Sequence, residues 1–132
     1  MLVVDASVAL GACAVADGFR ELGEHEHELV APALMWSEAL SALHEQLWRG
    51  HLHVEDAEDV RARLDRAPVA VRSPRRLRAE AWRIAGELGW AKTYDAEYVG
   101  LASLLGCRLV TVDGRLRRGA DRLGLVVLPN EL

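Results

Sequence analysis

Four carboxylates in this sequence occupy positions where a charge is costly. Asp5 closes the apolar run Leu2-Val3-Val4, and Asp113 closes Leu109-Val110-Thr111-Val112. Glu38 has Leu34, Met35 and Ala42 at helical spacing, so it projects from an apolar helix face. Asp95 opens the segment Tyr94–Leu105, which is apolar nearly all round and carries Tyr98, Val99 and Ala102 on the same face. An ionised carboxylate in such surroundings is unfavourable unless it is paired. Two like charges ~4 Å apart repel by roughly 4 kcal/mol at an effective dielectric of about 20. No Arg or Lys stands nearby on those faces, so four converging carboxylates need raised pKa values or a cation. An all-oxygen donor set of this type suits Mg2+ or Mn2+. Ser7, two residues beyond Asp5, can add a hydroxyl, and Thr111 can orient Asp113 from behind. Asp5, Asp113 and Asp95 each also fit a plain role as helix N-caps, and Glu38 fits a surface position. One acidic metal site accounts for all four at once.

Other chemistry is less well supported. His25 and His27 lie in Glu24-His25-Glu26-His27-Glu28, and His51 and His53 flank Leu52. Paired histidines invite zinc, but these segments are polar and loop-like and no cysteine cluster accompanies them. Cys13 and Cys107 lie among apolar residues and read as small hydrophobes. Trp36, Trp48, Trp82 and Trp90 can stack bases, although their helical placement favours core or dimer packing. No Gly-x-Gly-x-x-Gly, P-loop or Gly-x-Ser-x-Gly motif occurs, which removes dinucleotide, P-loop and serine-hydrolase readings. A haloacid-type phosphatase wants Asp-x-Asp after its first strand, and here the third residue is Ser7. A phospho-receiver wants a Lys at the end of its sheet, and the only lysine is Lys92, in a connection between helices.

The elements that must position the carboxylates follow from the pattern. Strands are expected at Leu2–Val4, Leu29–Ala31, Val69–Val71, Leu109–Val112 and Leu125–Leu128. Helices are expected from Ser7 to Ala16, Pro32 to Arg49, Val54 to Ala67, Ser73-Pro74 to Leu88, Tyr94 to Leu105 and Asp113 to Gly119. Asp17-Gly18 breaks the first helix, Phe19–Glu28 is a polar connection, and Thr93 is placed to cap the helix of Asp95. Short apolar strands alternating with helices imply an α/β sandwich around a buried parallel sheet. Such sheets bind ligands beyond the carboxyl ends of their strands, where strand order reverses. Asp5 and Asp113 both stand at such ends.

At 132 residues the chain fits one domain, 1–132. No stretch approaches the ~20 apolar residues of a membrane span, and Met1–Val4 lacks the flank of a signal peptide. Two cysteines make no disulfide framework, so a cytoplasmic setting is expected. The formal charge is −4, weakly unfavourable for nucleic acid, but the four singled-out carboxylates account for all of it. Basic residues cluster: eight arginines lie between Arg61 and Arg83, and Arg115, Arg117, Arg118 and Arg122 face only Asp121 in sequence. Either cluster can touch RNA phosphates or lie on a solvated helix face.

The start, Leu2-Val3-Val4-Asp5-Ala6-Ser7-Val8, resembles the first acidic motif of the PIN-domain family, in particular of the VapC-type toxins of prokaryotic toxin–antitoxin pairs. Ala31-Pro32-Ala33-Leu34 leading to Ser37-Glu38-Ala39 resembles the second motif, Thr93-Tyr94-Asp95-Ala96-Glu97-Tyr98 the third, and Leu109-Val110-Thr111-Val112-Asp113 the fourth. The match is in order and spans essentially the whole chain. It implies a PIN-like three-layer sandwich with a central five-stranded parallel sheet and helices on both faces. It further implies a Mg2+- or Mn2+-dependent endoribonuclease acting on tRNA or rRNA, commonly a homodimer, neutralised by a cognate VapB-type antitoxin. By position, Asp5, Glu38, Asp95 and Asp113 carry over as the catalytic and metal-binding quartet, with Ser7 and Thr111 as supporting hydroxyls. The sequence departs from the pattern at Glu97, either a fifth carboxylate or a solvent-facing residue, at Gly114 and at Gly11-Ala12. The alternative function is a catalytically silent PIN-like module that binds RNA or protein.

Overall fold

The five apolar runs form strands β1 (Leu2–Val4), β2 (Leu29–Ala31), β3 (Val69–Val71), β4 (Arg108–Val110) and β5 (Val126–Val127). This is a computed structural model, describing residues 1–25 and 28–132. The strands pair in parallel in the order β3-β2-β1-β4-β5. Between them lie helices α1 (Ala6–Cys13), α2 (Arg20–His25), α3 (Leu34–Trp48), α4 (Val54–Asp65), α5 (Leu77–Leu88), α6 (Tyr94–Leu105) and α7 (Gly114–Gly119).

Strand order sets the layers. From β1 through β2 to β3 the chain steps one way across the sheet; from β3 through β4 to β5 it steps the other way. Right-handed crossovers therefore place α1, α3 and α4 on one face and α5, α6 and α7 on the other. The packing agrees: α1, α3 and α4 touch one another, α5 lies on α6, and α6 covers β1 and β4. Gly100 lies at the α5–α6 contact, where a Cβ would stand at van der Waals distance, 3.4 Å, from the Ala81 backbone nitrogen. The central strands are covered on both sides, so Leu2, Val3, Val4, Val30, Leu109 and Val110 are fully buried. The edge strand β3 buries Val69 and exposes Val71. The expected five-stranded parallel sheet with helices on both faces is thus formed.

Several boundaries differ from expectation for local reasons. The first helix ends at Cys13 rather than Ala16, because the chain turns sharply through Asp17 (φ 56°) and Gly18. Gly18 packs on the Ala12 carbonyl, where a Cβ would come within 1.8 Å of the oxygen. The connection after it contains α2, and Glu26 and His27 lie outside the described residues. Helix α3 starts at Leu34, two residues after Pro32. Helix α4 ends at Asp65, ahead of Ala67. Helix α5 starts at Leu77, because Pro74 begins a turn closed by the Leu77 N–H donating to the Pro74 carbonyl (3.0 Å). Thr93 precedes α6 but makes no side-chain capping bond. Strand β4 ends at Val110, although the Thr111 N–H still donates to Val127 (3.0 Å), and Val112 is exposed. Strand β5 shrinks to Val126–Val127.

Part of each arginine cluster is tied into the fold. Arg61 pairs with Glu58 and Asp65, Arg72 with Glu28, and Arg83 with Glu80 and Glu87. Arg117 bridges Asp121 and both oxygens of Glu131, pinning the last turn to α7 and holding the Glu131 carboxyl below its usual range. Trp36 and Trp90 are half-buried, whereas Trp48 and Trp82 project into solvent from α3 and α5, so core packing accounts for two of the four.

Gly18→Ala is expected to lower stability by about 2–3 kcal/mol, because backbone must move to admit the methyl group. Gly23→Ala, at an open helical position, is expected to be neutral or stabilising by about 0.5–1 kcal/mol. Urea unfolding midpoints of the two variants check both outcomes.

Candidate active site

β1 and β4 lie side by side, and the chain leaves them toward opposite edges of the sheet. That divergence opens a crevice at their carboxyl ends, and Asp5 and Asp113 are the residues at its base. Asp5 is 6% exposed. Its Oδ1 accepts from the Ser7 hydroxyl (2.6 Å) and the Val8 N–H (3.0 Å), and its Oδ2 accepts from the Thr111 hydroxyl. Asp5 therefore caps α1, one of the two roles read from the sequence, and lies buried at the base of the crevice.

The two hydroxyls are relays. Ser7 Oγ accepts from the Val112 N–H (3.3 Å), and Thr111 Oγ1 accepts from the Asp113 N–H (3.0 Å). Thr111 thus holds Asp113 through the backbone N–H and not through the carboxylate. The same hydroxyl also reaches across to β1 and orients Asp5. The Asp113 carboxylate turns onto α7, accepting from the N–H groups of Arg115 (2.9 Å) and Leu116 (3.4 Å). Asp113 is thus an N-cap as well.

Glu38 and Asp95 reach the crevice from helices on opposite faces. Glu38, half-buried on α3, accepts from the Tyr98 hydroxyl at 2.6 Å. Asp95 sits in the first turn of α6, and its side chain makes no hydrogen bond among the described residues. Burial pushes the Glu38 carboxyl up; the Tyr98 hydrogen bond opposes this, and the charges of Asp95, Asp5 and Glu97 add to the rise. Burial also raises Asp95, helped by Asp113 and Asp5 and opposed by Arg115. Each of the four carboxylates therefore lies within the electrostatic reach of at least one other. Glu97 is half-exposed, with its charge reaching Glu38.

A cleft of about 450 Å3 opens above them, lined by Glu38, Asp95 and Asp113 together with Lys92, Tyr94 and Arg115. The donor set is oxygen-only and strongly acidic, which fits Mg2+ or Mn2+. In the present side-chain arrangement, no three described His, Cys, Asp or Glu residues already stand together in a geometry that can hold one ion. The physical reason is visible: Asp5 and Asp113 are turned onto helix N-termini, and the remaining acids repel one another. The sequence did not reveal Tyr98 as the partner of Glu38. It placed Tyr98 on a buried face, but the partner lies 60 residues away.

These features define an α/β sandwich carrying an acidic site at its topological switch point. A PIN domain model matches residues 2–122. Over 130 residues the chain is 35% identical to the VapC ribonuclease Mb0985 of Mycobacterium bovis and to ribonuclease VapC9 of Mycobacterium tuberculosis. Each alignment covers 98% of this chain and 99% of the relative. The structure of PAE2754 from Pyrobaculum aerophilum superposes with a TM-score of 0.74 at 24% identity, covering 98% of this chain and 90% of that one. A toxin–antitoxin complex from Klebsiella pneumoniae gives a TM-score of 0.65 at 13% identity, covering 98% of both chains. The chain belongs to the PIN domain family, and within it to the VapC-type proteins.

Two substitutions separate the forces at Glu38. Glu38→Gln keeps an acceptor for Tyr98 and removes the charge, so cation-free protein is expected to gain about 1 kcal/mol, or about 4 °C in Tm. Tyr98→Phe removes the donor and is expected to cost about 1–2 kcal/mol. Thermal unfolding in EDTA measures both.

Proposed function

We propose that this chain is a Mg2+- or Mn2+-dependent endoribonuclease toxin that hydrolyses phosphodiester bonds in tRNA or rRNA. The observation that carries this reading is the acidic cleft lined by Glu38, Asp95 and Asp113, with the Asp5 charge within reach of Glu38 and Asp95, where burial and mutual repulsion raise those two carboxyls. Relatives at 35% identity that bear the name ribonuclease support it. Asp5, Asp95 and Asp113, with Glu38 directly or through water, are the residues that would hold the cation. A bound divalent cation supplies Lewis-acid chemistry at a phosphodiester and lowers the pKa of water. The chain's own part is positional. Ser7, Val8 and Thr111 fix the Asp5 carboxylate in one rotamer. Tyr98 fixes Glu38. One carboxylate of the quartet takes the proton of the attacking water.

A cognate VapB-type antitoxin, a homodimeric state and action in the cytoplasm belong to the same proposal. The fold shared with a chain of a toxin–antitoxin complex is consistent with it. No helix among the described residues is long and apolar enough to cross a membrane. The alternative, a catalytically silent PIN-like module that binds RNA or protein, is favoured by one observation: no described trio of acids is poised to hold an ion.

Cleavage assays on total tRNA and on rRNA, in Mg2+, Mn2+ and EDTA, separate the two. Discrete cuts are expected with either metal, none in EDTA, and a loss of at least ~100-fold in Asp5→Asn or Asp113→Asn. Folded Asp5→Asn protein that cuts like its parent would sink the nuclease. Binding of RNA without any cut in either metal would favour the silent module.

A further inference from the structure

The cleft above the carboxylates also holds two cations and an aromatic ring that the acidic quartet leaves unused. Arg115 stands in the first turn of α7 with its side chain 88% exposed. Its Nε is 3.8 Å from Asp113 Oδ1, too far for a hydrogen bond, and such an exposed pair contributes little to stability. Its charge also reaches Asp95, so the guanidinium lies over the mouth of the acidic site rather than away from it. Lys92, the only lysine in the chain, lies in the connection between α5 and α6. It is exposed and makes no ion pair among the described residues. Tyr94, the first residue of α6, lines the same cleft and is 54% exposed.

These groups are held by rigid parts of the fold. The Trp90 N–H donates to the Ala85 carbonyl at 2.8 Å, tying the connection to the end of α5. The Trp90 indole lies against Gly119 of α7, where a Cβ would be 3.4 Å from Nε1. Trp90 thus joins the segment carrying Lys92 to the helix carrying Arg115, so the backbone at both positions is set relative to the crevice.

A nucleic-acid strand entering a pocket lined by Glu38, Asp95 and Asp113 is repelled along its backbone. Cations at the rim offset that repulsion and hold the phosphates that flank the reacting one. The geometry points to Arg115 and Lys92 as a phosphate clamp for single-stranded RNA, with Tyr94 as the stacking platform for a neighbouring base. The assignment rests on the proposed ribonuclease function. Phosphate and stacking contacts set register and not sequence, so this clamp positions the strand without choosing its bases.

The test uses the full-length wild-type protein in EDTA and a fluorescent single-stranded RNA oligonucleotide, with affinity measured by anisotropy across a salt series. Arg115→Ala and Lys92→Ala are each expected to weaken binding and to reduce the slope of log K against log[salt] by about 0.7, and the double variant by about 1.4. Arg115→Lys and Lys92→Arg keep the slope. Tyr94→Ala weakens binding by about 10-fold with the slope unchanged, and Tyr94→Phe restores it. Arg20→Ala, on the remote α2, changes neither quantity. An unchanged slope in the double variant, or no RNA binding by the parent, overturns the clamp. The wild-type cleavage assay separates the two layers. Cleavage with an unchanged slope removes the clamp and leaves the nuclease, whereas a reduced slope without cleavage in any metal removes the nuclease and leaves the clamp.

Discussion

The carboxylate of Asp5 is the one charged side chain that the core takes in among the described residues, and its three hydrogen bonds hold the site in place. Burying a charge at the junction of β1 and α1 is unfavourable unless it is fully engaged. Here two hydroxyls and a backbone amide engage it, and the hydroxyls bond onward to the backbone leaving β4. One set of contacts therefore caps the first helix, ties the two central strands at their carboxyl ends, and sets the backbone from which Asp113 projects. Loss of that set would loosen the crevice itself, not only one side chain lining it.

Around this anchor the other acids are held with graded firmness. Asp113 is fixed by two amides of α7 and Glu38 by one phenol, while Asp95 is held by its helix alone. Asp95 and Glu38 come from opposite faces of the sheet, so the layers must pack correctly before the charges meet. Helix α5 packs along α6, the helix that carries Asp95 and Tyr98. Their convergence is electrostatically unfavourable in the absence of a cation, and a well-packed apolar sheet sustains it.

Charge elsewhere in the molecule shows a division of labour that composition hides. Arg61, Arg72, Arg83 and Arg117 have carboxylate partners within the fold. They lie along surface helices, just past β3 and beside the last turn, with carboxylates already within contact. Arg115 and Lys92 differ in being exposed beside the one strongly acidic cleft. The net charge of −4 thus combines a locally negative pocket with a rim of opposite sign.

Hydrophobic period alone located all five strands, the burial of α6 and the odd placement of Glu38 on an apolar face, because these are local properties of short segments. The ordered acidic motifs were legible for the same reason. The helices expected to start at Pro32 and at Ser73-Pro74 start two to four residues later, at Leu34 and Leu77, since turn geometry depends on what the loop packs against, whereas Tyr94–Leu105 has the expected bounds. Strand neighbours were not legible at all. Residue types cannot say that β1 lies between β2 and β4, and from that adjacency come the bond of Thr111 to Asp5 across 106 positions and the bond of Tyr98 to Glu38 across 60. The sequence by itself determined which residues carry charge into apolar surroundings. Only the tertiary structure decided which donors hold them, which arginines are occupied, and which cations face the cleft, because each depends on chain segments far apart in sequence meeting in space.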